Sequence, residues 1–91
     1  MKKCTVVNHK TEKHDVYIGR PGKWGNPYSI GKDGSRSEVI EKYRKYLLAN
    51  KELLNDLHEL DGKILGCWCK PKACHGDVLA EFVNNRENLI F

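Results

Sequence analysis

The sequence predicts a small α/β domain with a largely parallel sheet, and three observations carry that reading. Three short apolar, β-rich runs stand far apart, at residues 3–7, 15–19 and 63–69. Leucines and aromatics at helical spacing fill residues 36–60, between the second and third runs. A third amphipathic stretch, 73–84, follows the last run, so strands and helices alternate as crossover-connected parallel sheets require.

Each element has its own justification. Thr5-Val6-Val7 is short and β-branched, a strand beginning at Lys3. Asp15-Val16-Tyr17-Ile18-Gly19 reads as the second strand. Residues 20–34 then carry Gly and Pro too densely for regular structure, yet Trp24 and Tyr28 argue for an ordered loop. Ser35 and Glu38 have the spacing of a capping box, opening a helix to about Asn50 with Val39, Ile40, Tyr43, Leu47 and Leu48 on one face. Leu53, Leu54, Leu57 and Leu60 repeat the pattern until Asp61-Gly62 stops it; 36–60 is either one bent helix or two. Lys63–Cys69 is apolar enough to be a central strand buried on both faces. Pro71 ends it, and a last helix runs from near Ala73 to Asn84 with Val78, Leu79, Phe82 and Val83 inward. The order is β-β-α-α-β-α, a small Rossmann-like domain with a three-stranded sheet flanked by helices. A helical layer on each face, or a homodimer interface, is expected to complete the burial.

Length and composition narrow the function. Ninety-one residues make a single domain, 1–91, with a thin core. Apolar types at 40% and charged types at 31% exclude a disordered chain. No apolar run approaches the ~18 residues of a membrane span, and the N-terminus lacks a signal peptide's apolar stretch, so a cytoplasmic protein without membrane contact is expected. The net charge is +4, and residues 1–36 hold eight Lys/Arg against three acids. That excess falls mainly in loops, which suits a phosphate-bearing ligand as well as a solvated basic surface.

The densest chemistry is Cys67-Trp68-Cys69-Lys70-Pro71-Lys72-Ala73-Cys74-His75-Gly76-Asp77. Alternation along the strand puts Cys67 and Cys69 on one face and Trp68 on the other, at the carboxyl end where open α/β sheets bind ligands. Cys74 and His75 fall in the next helix's first turn, where free amides favour an anion or thiolate. Three readings remain open. Cys67, Cys69, Cys74 and His75 form a Cys₃His zinc site, although adjacent ligands must splay to meet one ion. Alternatively Cys74 is a nucleophile with His75 as base and Asp77 orienting it, a geometry that neighbouring helix positions make imperfect. Otherwise the thiols are buried core residues.

The stretch G-R-P-G-K-W-G-N-P-Y at 19–28, taken with C-W-C-K-P-K-A-C-H-G-D-V-L at 67–79, resembles a small domain-of-unknown-function family of bacteria and their phages, over nearly the whole chain. The resemblance implies that Arg20, Trp24, Asn26, Pro27, Cys67, Cys69, Cys74, His75 and Asp77 belong to one site. It implies no substrate.

The loop after the second strand supplies the other half of the expectation. Arg20 stands at a strand end, and Gly22 and Gly25 let backbone amides approach a ligand closely. Trp24 or Tyr28 can stack on a base while Asn26 reaches its edge. The glycine spacing matches neither a Walker loop nor the dinucleotide fingerprint. The competing reading is a structural loop in which Trp24 plugs the core and Asn26-Pro27 makes a turn. His9 and His14 read as surface residues. The expected function is therefore binding of a nucleotide or nucleic acid at the strand ends. The rivals are a cysteine-dependent enzyme acting on a nucleotide or nucleobase, and a non-catalytic phage or bacterial interaction protein marked by an exposed apolar patch away from the cysteine turn.

Overall fold

A computed structural model describes residues 3–85. Strands β1 (Thr5–Asn8), β2 (Val16–Tyr17) and β3 (Ile64–Cys67) form one sheet in the order β1-β3-β2, with β3 parallel to both neighbours. The α/β class and the parallel three-stranded sheet are as the sequence predicts. The second strand is shorter than expected, but its ladder extends beyond it. The amide of Asp15 donates to the Ile64 carbonyl at 2.7 Å and that of Ile18 to the Gly66 carbonyl at 3.0 Å.

Helix α1 (Arg36–Ala49) starts on the predicted box: Ser35 Oγ accepts from the Glu38 amide, and the Glu38 carboxylate accepts from the Ser35 amide. Residues 36–60 form two helices and not one. Asn50 ends α1, and its side chain caps α2 (Lys51–Asp56) by accepting from the Leu53 amide at 3.2 Å; a 3₁₀ turn, Leu57–Leu60, follows. A residue with so strong a capping preference inside an otherwise helical run breaks the run. Helix α3 (His75–Asn84) closes the domain.

The pleat sorts the strands into two unlike faces. Cys4, Val6, Val16, Ile18, Leu65 and Cys67 join Tyr43, Leu47, Leu57, Leu79 and Phe82 of the helices in one core. On the opposite face, Ile64, Tyr17 and Trp68 are 37%, 39% and 56% exposed, and the His14 ring lies where a Gly66 side chain would be. The expectation that β3 is buried on both faces is thus corrected. The helices bury one face, and the other, read off alternate residues, carries aromatic side chains open to solvent. Among the described residues no helix is long and apolar enough to cross a membrane.

Candidate functional site

The cysteine turn is a strand end tied to a helix start. Cys67 closes β3 on the core side, and Lys72 donates back to the Cys69 carbonyl at 2.7 Å to make the turn. Cys74 is the N-cap of α3, not a first-turn residue: its sulfur accepts from the Gly76 amide at 3.3 Å. Asp77 completes a capping box by accepting from the Cys74 amide at 3.1 Å, and its other oxygen holds the Lys70 ammonium. A sulfur here takes the place usually held by a hydroxyl.

The sulfurs of Cys67 and Cys74 lie 3.2 Å apart, and the two residues are 1% and 2% exposed. Burial, reinforced by the neighbouring Cys67, pushes the Cys74 thiol up to about 12. Desolvation therefore outweighs the help that the Gly76 amide gives a thiolate. His75 is engaged by the Ile18 backbone and by Tyr43. Its Nε2 donates to the Ile18 carbonyl at 2.8 Å, and its ring meets Tyr43 edge-on with centroids 4.9 Å apart. Burial lowers its pKa against the opposing pull of the Ile18 and Trp24 backbones, which favours the uncharged imidazole.

This geometry does not assemble the Cys74–His75–Asp77 triad. The proposed base is spent on a backbone carbonyl, the proposed orienting acid on a cap and a lysine, and the nucleophile is a buried neutral thiol. Nor do Cys67, Cys69, Cys74 and His75 converge as zinc ligands. Among the described residues no three His, Cys, Asp or Glu side chains come together as a metal-holding set. The physical reason is the one the spacing raised: of two adjacent residues at a helix start, one caps the helix and the other points at the strand beside it.

The glycine loop is ordered largely by its own hydrogen bonds. Gly22 donates to the Gly19 carbonyl at 3.1 Å and Gly25 to the Gly22 carbonyl at 3.0 Å, so neither amide is free to cradle a phosphate. Gly25 is required because a Cβ there would stand 3.0 Å from the Arg20 Cα. Trp24 is 4% exposed and sits in the core, where its carbonyl accepts from the Tyr43 hydroxyl at 2.8 Å. Asn26 turns inward: its amide donates to the Val39 carbonyl at 3.2 Å and its oxygen accepts from the Tyr28 amide at 3.0 Å. It shapes the site and has little left for a base edge.

These pieces enclose a cavity of about 360 Å³ at the carboxyl ends of β2 and β3. Gly19, Arg20, Asn26 and Tyr28 line it from the loop, and Cys67, Cys69, Cys74 and His75 from the turn. Trp24, Pro27 and Asp77, which the resemblance assigned to the same site, are not on its wall. Gly22 and Gly25 are not either. Among the lining residues that sequence reasoning missed are Arg36 and Trp68. Arg36 had a legible signal, because a cation in a helix's first turn opposes the dipole and wants another reason to be there. Its guanidinium donates to the Ala73 carbonyl at 3.0 Å, and that of Arg20 donates to Ser29 Oγ at 3.0 Å. Both arginines thus line one pocket whose other walls include Tyr28, Ile30, Ile40 and Trp68.

Fold and pocket define the class: a small parallel α/β domain with a concave site at its strand ends. The chain belongs to the family described as "Domain of unknown function (DUF4326)", whose model matches residues 3–85. It is 43% identical over 86 residues to the "Uncharacterized 12.4 kDa protein in nrdA-td intergenic region" of Enterobacteria phage T4, covering 89% of this chain and 78% of the phage protein. It is also 37% identical over 92 positions to "Uncharacterized protein R718" of Acanthamoeba polyphaga mimivirus, covering 81% of this chain and 70% of that protein. No solved structure matches it.

Proposed function

We propose that this domain binds a phosphate-bearing nucleotide in the cavity at its strand ends, as a binding module and not through cysteine chemistry. One observation carries the reading. Arg20 and Arg36, from two different elements, line one pocket whose wall also carries Tyr28, Trp68, Ile30, Val39 and Ile40. Paired guanidiniums suit a phosphate, and Tyr28 offers an aromatic wall for a base. Pockets for small organic ligands span roughly 300–1,000 Å³, and one of about 360 Å³ admits little beyond a mononucleotide. The cysteines support the site from beneath: Cys67 and Cys74 pack its floor, and His75 fixes the end of β2 against α3.

The test is calorimetric titration with a 5′-mononucleotide, the matching nucleoside and inorganic phosphate. The expected order is nucleotide over either fragment, by at least tenfold. Equal binding of nucleoside and nucleotide would remove the arginines from the account.

A further inference from the structure

Resting on the pocket reading above, we infer that the ligand is a single strand of nucleic acid, laid across the open face of the sheet with one nucleotide in the pocket. A parallel sheet normally has both faces covered, and here one face is left with exposed aromatics. Tyr17 and Trp68 are joined by a hydrogen bond from the indole Nε1–H to the phenol oxygen. His9 stands against both rings, its centroid 4.1 Å from that of Trp68 and 5.1 Å from that of Tyr17. Its Nε2 is buried and has no hydrogen-bond partner. The Lys10 ammonium lies 4.5 Å from the Trp68 centroid, over the surface on which a base would stack. Displaced by that base, a flexible ammonium is still in reach of the next phosphate.

Continuity selects the occupant. Trp68 belongs both to this face and to the wall of the arginine pocket, so a ligand leaving the pocket runs directly onto the aromatic platform. Charge agrees: Lys10 on the platform and Arg20 and Arg36 at the pocket mark a cationic track. Glu12 and Asp15 lie on the same β1–β2 connection, and the Asp15 carboxylate is engaged by the Ile64 amide at 2.9 Å. Exposed rings flanked by cations are how sequence-tolerant proteins hold single strands. A duplex would offer no unstacked base to Trp68.

The experiment is fluorescence anisotropy with a labelled eight-nucleotide single-stranded oligodeoxythymidylate and a duplex of equal length, alongside thymidine 5′-monophosphate titrated by calorimetry. The single strand should bind more tightly than either the duplex or the mononucleotide. Trp68→Ala should weaken it by about tenfold or more, and Trp68→Phe should retain most of the binding. Lys10→Gln should weaken the octamer, reduce its salt dependence by about one ion and leave the mononucleotide unaffected. If the mononucleotide binds but the octamer is no tighter and ignores Trp68→Ala, the inference fails and the pocket reading stands. If the octamer depends on Trp68 while the mononucleotide does not bind, the platform stands and the pocket reading fails. If sedimentation finds a dimer that Trp68→Ala dissociates and the octamer does not bind, the face belongs to a second copy and the inference is overturned.

Discussion

Replacing Arg36 by alanine separates a ligand-holding arginine from a structural one, because the two roles predict opposite patterns. Arg36 is the first residue of α1, where a cation opposes the helix dipole by about 0.3–1 kcal/mol. Alanine removes that penalty and is a better helix former. The loss is one solvent-exposed hydrogen bond to the Ala73 carbonyl, worth roughly 0.5–1.5 kcal/mol. The terms nearly cancel, so stability should stay within about 0.5 kcal/mol, or a melting shift of about 3 °C for a domain this size. Ligand affinity should behave differently. A charge-assisted contact to phosphate contributes about 1.5–3 kcal/mol, which is roughly 10- to 100-fold in Kd.

Arg20→Ala should give the same pattern, since its bond to Ser29 Oγ is exposed too. The double variant should lose less than the product of the two, because both guanidiniums would share one phosphate. The assay is calorimetric titration of a 5′-mononucleotide and its nucleoside against all four proteins, with thermal melts of each. Only the nucleotide's affinity should fall. A melting drop beyond about 10 °C for either single variant, or equal losses for nucleotide and nucleoside, would refute the reasoning and return these arginines to the scaffold.

Tyr43→Phe should lower stability by about 1–3 kcal/mol without touching ligand affinity, because it strands the buried Trp24 carbonyl; an unchanged urea midpoint would deny the plug role of Trp24. The lowered pKa of His75 means that the unfolded chain binds its proton more readily than the folded one. Stability should therefore fall as pH drops below 6.5 towards the depressed folded value and level off beneath it, a slope that His75→Gln should flatten in pH-resolved melts. Iodoacetamide should leave Cys67 and Cys74 unlabelled in folded protein with or without chelator, read by peptide mass spectrometry. Fast labelling of Cys74 would revive the nucleophile, and one zinc per chain by metal analysis would revive the Cys₃His site.

Periodicity and capping chemistry carry information over a few residues, and what they govern was legible. The Ser35–Glu38 box appears as read, the inward stripe does so except for Leu48, which is exposed, and the strand expected at 63–69 occupies 64–67. The break at Asn50 was open because whether a capping residue interrupts a helix depends on the packing on either side. The partial exposure of the second face of β3 was not legible, since Ile64-Leu65-Gly66-Cys67 is apolar throughout and only the fold sets the His14 ring over Gly66 and leaves Tyr17 and Trp68 exposed beside it. In the loop, Trp24 and Tyr28 were equally good stacking candidates by composition. The Tyr43 hydroxyl claims the main chain of Trp24, and that contact lies nineteen residues away in sequence.

The sequence leaves the cysteine motif open between a zinc site, a nucleophile and buried core thiols, and in the structure several of its positions have an architectural task. Cys67 and Cys74 fill the junction between strand and helix, where a sulfur both packs among apolar neighbours and accepts the Gly76 amide. A Cβ at Gly76 would lie 2.6 Å from Ile18 Cδ1 and 2.9 Å from Val6 Cγ1, so any larger residue there requires these side chains to shift. Asp77 caps, and His75 holds the carbonyl of Ile18, the residue immediately before the Gly19-Arg20 corner of the pocket. Trp68 is left largely exposed, and Cys69 half-buried beside it, on the wall where a ligand would sit. The motif ties two strand ends to a helix start, and an arginine from the loop and another from α1 line the cavity beside them. The consequence is a division of labour that substitutions can expose. Changes at Cys67, Cys74, Gly76 or Asp77 should act through folding, and changes at Arg20, Arg36, Tyr28 or Trp68 through affinity.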